Sequence, residues 1–369
     1  MLTPTKDGPA SNPISMAEAI PDHITFEKVR DVFENQVPAA ARSEVLCLKV
    51  GSAHVKLSTS SEVVESWLLP ALTGKLFPWT GTIESDFEVH IVHLPDLPEQ
   101  ELLCSWVDQG KRDGLYLEAG NIHEALMIES DSRFWAYWSE EKREAFLWIP
   151  DMNRLAAWEK AAPIKAILHA VSTALGMQLL HGGGVGTEQG GVLLSGPGGA
   201  GKSTTAICCL GSNLKYLADD YCLLDQRGEP ILHNLYTSAK LRPENLHRFK
   251  HLKDLFRWDP TQLGAKPTIF MHERFAESSI DSFPIRALVV PNVTGEVETT
   301  WDRCKVGDAW RAIAPSTIAQ LPFCEREAFD QVSRLIHRLP TYRLHVGTDL
   351  SLIPSSIEAI LADSMPTER

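Results

Sequence analysis

The chain has 369 residues, 44% hydrophobic and 22% charged, an ordinary globular composition long enough for two domains. A formal net charge of −13 leaves no electrostatic footprint for DNA or RNA, while a local basic pocket for phosphates stays open. No apolar run reaches the ~18 residues of a membrane span, and the first residues show no charged-then-apolar leader.

Seven cysteines, Cys47, Cys104, Cys208, Cys209, Cys222, Cys304 and Cys324, carry no CxxC pair or metal-ligand spacing. Free thiols and a cytoplasmic location are therefore expected. Residues 1–24 are rich in Pro, Ser and Thr without apolar periodicity, which predicts a disordered arm. Residues 25–33 read as a short helix. From Glu44 strands take over, with 45–50 and 55–57 forming a hairpin around Gly51-Ser52. Residues 62–69 fit a helix that stops before Pro70, and residues 87–93 alternate as a strand.

Four more strands are expected over 115–117, 125–128, 134–138 and 145–149, with turns at Gly120-Asn121, Asp131-Ser132 and 140–143. An antiparallel, meander-like sheet with a helix or two thus fills a β-rich N-terminal domain, 25–155. Core packing explains its aromatic residues Trp135, Tyr137, Trp138 and Trp148; a substrate-binding face is the other reading. Residues 163–177 give the clearest helix, with Ile164, Ile167, Leu168, Val171, Ala174 and Leu175 on one stripe. A strand at 178–181 ends on His181, followed by turns at Gly182-Gly183-Gly184 and Gln189-Gly190-Gly191. The second domain is expected to run over 156–369.

Val192-Leu193-Leu194 reads as a buried strand. It opens on Gly196-Pro197-Gly198-Gly199-Ala200-Gly201-Lys202-Ser203, a full phosphate-binding loop pattern. Glycine-rich turns also occur as plain loops, but here a strand precedes and a helix-compatible segment, 203–210, follows. The glycines let the backbone take positive φ and approach a polyphosphate; loop N–H groups and the following helix then hold the anion. The expected nucleotide contacts are Gly196, Gly198, Gly199, Ala200, Gly201, Lys202, Ser203 and Thr204. Lys202 would serve the β and γ phosphates and Ser203 a magnesium ion, making ATP and Mg2+ the expected cofactors.

Residues 215–224 read as another strand, carrying Asp219-Asp220. On a regular strand the two carboxylates would face opposite ways. At a strand end or bend both can face the loop, one on a metal and one on a substrate hydroxyl. The bland alternative is one turn cap and one solvated carboxylate.

His181-Gly182, the phosphate loop and Ala218-Asp219-Asp220 together resemble the catalytic core of HPr kinase/phosphorylase and its relatives. That fold is shared with ATP-dependent phosphoenolpyruvate carboxykinases. The spacings agree, fifteen positions from His181 to Gly196 (196 − 181) and sixteen from Ser203 to Asp219 (219 − 203). The resemblance covers about residues 163–225. It implies that Asp219 accepts the substrate serine proton, that Asp220 and Ser203 hold the metal, and that His181 has a catalytic role. A strand-end structural role is the other reading of His181. The loop has Pro197-Gly198 where true HPr kinases carry Asp-Ser, and their glycine- and asparagine-containing signature has no match. The resemblance is therefore nearer to HPr kinase-related proteins of peptide tailoring, some of which, including lasso-peptide kinases, phosphorylate a serine of a peptide.

Beyond Asp225, residues 236–243 read as extended, 244–254 as a charged helix, and 265–270 and 285–290 as strands. The last is apolar enough to be buried. Lys240, Arg242, Lys266 and Arg286 are the cations best placed in sequence for phosphate or substrate, although each alone is more often a solvated charge. A helix at 329–336 before Pro340, a strand at 342–344 and a helix at 353–361 complete the chain.

The expectation is an α/β chain with an α+β N-terminal part: a P-loop, HPr kinase- and carboxykinase-like catalytic domain behind a smaller, mostly antiparallel β domain. Its activity would be ATP- and Mg2+-dependent phosphoryl transfer to a serine or other hydroxyl of a peptide, protein or small molecule. Nucleic acid and membrane are excluded as partners, and a homo-oligomer is left open. A nucleotide-driven switch usually places its second metal carboxylate much further along the chain. A carboxykinase-like enzyme would need a second Lys, His and Asp cluster, which is not seen.

Overall fold

The computed structural model describes residues 19–20, 22, 24–36, 44–94, 116–129, 134–261, 264–318, 321, 323 and 326–365. Most of the expected arm, Cys104, Cys324, Leu115 and the Asp131-Ser132 turn lie outside the described residues. The architecture is mixed α/β, built on two large sheets of mixed strand direction.

The first sheet holds β1 (Glu44–Val50), β2 (Ala53–Thr59), β3 (Leu76–Pro78), β4 (Phe87–His93), β5 (Tyr116–Gly120), β6 (Glu124–Glu129), β7 (Trp135–Ser139) and β8 (Glu144–Ile149). Their order is β3-β1-β2-β4-β8-β7-β6-β5. β1 and β2 form the expected hairpin, with Val50 opposite Ala53, and β5 to β8 form the expected meander. The sheet is mostly antiparallel, as expected; the exception is β4, which runs parallel to both β2 and β8. The chain between β2 and β4 passes through helix α2 (Glu62–Leu72) and β3, and such a crossover returns a strand in parallel.

Pro70 lies inside α2, not beyond its end. Its ring removes one bond from the helix ladder, and the buried Leu68, Ala71 and Leu72 keep the last turn packed in spite of that. Helix α1 (Phe26–Gln36) covers one face of the sheet. There Phe26, Val29 and Phe33 pack on Trp135, Tyr137, Phe146 and Trp148, with Ile24 buried beside them. β7 and β8 are buried on both faces, so the aromatic residues are core.

Helices α3 (Ala157–Ala161) and α4 (Lys165–Ala174) connect to the second sheet. Its strands are β9 (Met177–His181), β10 (Gly183–Thr187), β11 (Gly190–Leu194), β12 (Lys215–Ala218), β13 (Tyr221–Asp225) and β14 (Ile231–Asn234). Further along come β17 (Ser282–Val293), β18 (Thr300–Arg303) and β19 (Thr341–Val346). The path is β12-β10-β11-β17-β14-β13-β9, with β19 also on β17 and β18 on β19. A separate ribbon pairs β15 (Ser238–Lys240) with β16 (Thr268–Phe270). The remaining helices are α5 (Lys202–Cys208), α6 (His272–Phe275), α7 (Val306–Thr317), α8 (Arg326–Arg338) and α9 (Ile353–Ser364).

Three sequence expectations are corrected here. Gly183 and Gly184, read as a turn, lie in β10, and Gly190 and Gly191, read as a turn, open β11. Their glycines serve close approach: a Cβ on Gly186 would sit 2.4 Å from the Gly191 Cα, and one on Gly183 would sit 2.9 Å from the Ala218 carbonyl oxygen. The charged helix at 244–254 is a 3-10 helical stretch, Pro243–Leu255, broken at Phe249.

The two sheets share one core. Leu57, Val89, Leu147 and Ile149 from the first, with Leu68 of α2, pack in one cluster with Ile167, Leu168, Leu179, Leu223 and Phe270. Among the described residues, no helix is long and apolar enough to cross a membrane.

Candidate phosphate-binding and catalytic site

β11 is wholly buried and pairs in parallel with β17, and the Ser195 amide extends that ladder to the Val289 carbonyl at 2.9 Å. The chain then leaves the sheet edge as a glycine loop and re-enters as α5. Gly199 (φ +91°) and Gly201 (φ +110°) take backbone conformations that side chains rarely adopt. Gly196 is buried, Pro197 to Gly199 are exposed, and Ala200 and Ser203 are half-buried. Lys202 and Thr204 are buried behind them. The Lys202 ammonium curls into the loop and donates to the carbonyls of Gly196 at 2.6 Å and Pro197 at 3.4 Å. Burial pushes its pKa down, against the pull of Asp219 and Asp220.

The strand expected over 215–224 is two strands, and Asp219-Asp220 is the bend between them. β12 pairs with β10 while β13 pairs with β9 and β14, so the bend forms where the chain changes partners. The charges of both carboxylates reach Lys202, and Lys240 holds both, its amide on Asp219 and its ammonium on Asp220, as the bend arrangement open from sequence allows. Asp219 is almost completely buried. Its Oδ2 accepts the Lys240 backbone N–H at 2.9 Å, and among the described residues its Oδ1 has no hydrogen-bond partner at normal distance. Burial and the neighbouring Asp220 charge raise its pKa to about 6, although the Lys240 amide and the nearby Ser203 hydroxyl pull it down.

Asp220 stands in the opposite state. Burial works against its charge, but the Lys240 ammonium and His181 outweigh burial and hold its pKa well below the carboxylate range. The Lys240 ammonium forms a short ion pair with Oδ2, and His181 Nε2 lies 3.2 Å from Oδ1. His181 ends β9 and stacks on Tyr221, with ring centroids 5.3 Å apart.

The four cations singled out in sequence separate. Lys240 is at the site, bound to the carboxylates. The Arg242 guanidinium lies across Gly199, where a Cβ would meet it at 2.6 Å, and also faces Glu244 at 3.6 Å. Lys266 is exposed and close enough for its charge to act on Lys202. Arg286 is a correction: it packs against Gly190 at the far end of β11, bonded to Glu229 at 2.6 Å and to the Gln189 carbonyl at 3.0 Å. Its strand was right, but sequence does not reveal which end of a strand faces a site.

Lys165 and Tyr221 were missed. The Lys165 Nζ lies 3.4 Å from the Tyr221 hydroxyl and 5.2 Å from its ring centroid, and burial lowers its pKa while Glu159 opposes. A lysine opening the apolar stripe of α4 was the available signal. The site thus gathers three lysines, two carboxylates and a histidine, which can hold an anionic ligand and accept a proton. No protein-family model matches this chain, and neither does any curated protein.

Proposed function

We propose that the chain is an ATP- and Mg2+-dependent kinase that transfers the γ-phosphoryl group to a serine hydroxyl of a peptide or protein. It would be a P-loop kinase related to the HPr kinase family and its carboxykinase-like fold, acting on a substrate other than HPr. The observation that carries this is the meeting of the glycine loop and its buried lysine with a carboxylate pair at a strand bend. In such sites catalysis is mostly positioning and charge neutralisation.

The residues fit magnesium: the Ser203 hydroxyl and two carboxylates are hard oxygen donors, and among the described residues the buried Asp219 Oδ1 has no hydrogen-bond partner at normal distance, with the Ser203 hydroxyl nearby. Among the described residues no group of three or more His, Cys, Asp or Glu forms a metal cluster; a magnesium held by one or two carboxylates and phosphates needs none. When bound, the ion neutralises charge on the β and γ oxygens. Asp220, kept ionised, and Ser203 would hold it. Lys202 would move from the loop carbonyls to the phosphates. The acceptor oxygen bonds to γ-phosphorus as the bond to the β–γ bridging oxygen breaks, and Asp219 takes the acceptor proton. A pKa of about 6 keeps Asp219 ionised at neutral pH yet basic enough for that step.

One observation favours a second division of labour. The Ser203 hydroxyl neighbours Asp219, and His181 with Asp220 forms a histidine–carboxylate pair. There Asp219 and Ser203 would hold the metal and the pair would take the proton.

The direct test is Lys202→Ala, assayed by ATP turnover and serine-peptide phosphorylation. Transfer should vanish with the thermal melt unchanged or improved, because the buried ammonium supports no apolar packing. Phosphate release without any acceptor would favour a nucleotide switch. A variant that loses solubility but keeps specific turnover would remove the assignment.

A further inference from the structure

Beside the site lies a groove of ≈ 640 Å³. Its walls come from α2, from the segment through α3, and from the stretch that runs from Arg257 into β16. One wall touches the catalytic machinery directly. In the β15–β16 ribbon Thr268, which lines the groove, pairs with Lys240, whose amide holds Asp219 and whose ammonium holds Asp220. The other wall is fixed where the Trp67 indole donates to the Glu159 carbonyl at 3.1 Å, on the helix that precedes Lys165.

Trp67, Trp258 and Phe270 give the groove aromatic surface, with Trp258 41% exposed. Its rim carries Lys160, Arg257 and Lys266 against Asp259 alone, in a chain whose formal net charge is −13. Arg257 is already paired with Glu273. Lys160 and Lys266 form no ion pair among the described residues; the Lys160 charge reaches Asp259, so the rim keeps a net positive charge, with Lys266 free to meet a ligand. Aromatic surface with a net positive rim selects an apolar side chain flanked by carboxylates.

Resting on the kinase reading, we propose that this groove docks the acceptor itself: an extended peptide segment with an aromatic or large apolar residue between acidic ones, presenting its serine to Asp219. The groove is the substrate-selecting surface, and the N-terminal sheet is present partly to build it through α2.

The test uses the full chain and two short fluorescent serine peptides, one with tryptophan between glutamates and one with lysines in place of those glutamates. Anisotropy should show the acidic peptide binding roughly tenfold more tightly at low salt, with the difference shrinking as salt rises. Lys160→Glu should abolish or reverse that preference, and Trp258→Ala should weaken both peptides, while Mg-ATP binding, which uses neither residue, stays unchanged. Equal binding of the two peptides by the unaltered chain, or a preference indifferent to Lys160→Glu, overturns the groove. Serine phosphorylation insensitive to both substitutions also removes the groove but keeps the kinase. Groove-dependent binding without any transfer from Mg-ATP keeps the groove and removes the kinase.

Discussion

Asp219 and Asp220 are adjacent in sequence and opposite in electrostatic state, which gives each a separate signature on substitution. The Asp219 pKa is raised from the ordinary 3.8 to about 6, so its charged form costs the fold stability. That cost is absent below the unfolded value and grows as pH rises to about 6. Asp219→Asn should therefore melt higher than the unaltered chain near neutral pH, by roughly 1–3 kcal/mol, and lose that advantage near pH 4. Its transfer rate should fall by roughly a hundredfold to ten-thousandfold, the worth of a positioned base, with ATP affinity nearly intact. Asp220 is depressed by Lys240 and His181, so its charge contributes stability that is present at neutral pH and lost as pH falls through its folded value. Asp220→Asn should melt lower at neutral pH, leave the buried Lys240 ammonium unpaired, and weaken metal-dependent nucleotide binding together with turnover. Melting curves across pH with nucleotide titrations separate the cases. If Asp219→Asn instead abolishes magnesium-dependent binding and His181→Gln abolishes transfer, the second division of labour holds.

The elements that hold this pair depend on glycines that turn nothing. β10 is squeezed between β11 and β12, and a Cβ on Gly186 would press on backbone, 2.4 Å from the Gly191 Cα and 2.7 Å from the Gly190 carbonyl oxygen. No rotamer relieves a backbone clash. Gly186→Ala should cost roughly 1–3 kcal/mol, several degrees in the melt, and weaken nucleotide binding by shifting β11, which leads into the loop. A melt unchanged by Gly186→Ala would show that the hairpin opens freely. Such glycines also mark what sequence conceals. The phosphate loop, the β1–β2 hairpin and the β5–β8 meander are legible because their signals are local: a contiguous motif, alternation, turn residues. β10 was hidden because glycine ordinarily signals a turn, and the parallel placement of β4 because it depends on where a distant crossover returns. The His181, Tyr221 and Lys165 cluster comes from three separate segments. How the aspartates are held was decided only by the strand partners on either side of the bend.

At the scale of the whole molecule, the two sheets expected to form separate domains are joined by a common core and by an ion pair between a buried lysine and an exposed carboxylate. Lys75, 5% exposed after α2, reaches Asp281 at 2.5 Å ahead of β17. Thr237 donates to the carbonyls of Pro70 and Ala71, tying α2 to the strand that follows. Apolar residues of α4, β9 and β13, among them Ile167, Leu168, Leu179 and Leu223, are buried in the same cluster as the first sheet's inner face. Removing that sheet returns a contiguous apolar patch to water, at about 25 cal/mol for each Å² exposed. A fragment of residues 156–369 should therefore lack a cooperative melt and associate in solution, although it retains the whole phosphate loop and both aspartates. The full chain should unfold in one transition, because neither sheet has a complete core alone. Calorimetry of the full chain and size-exclusion chromatography of the fragment check this. A monomeric fragment that melts cooperatively and binds Mg-ATP would show that the boundary near residue 155 divides two independent folding units, and that the shared cluster is only an interface.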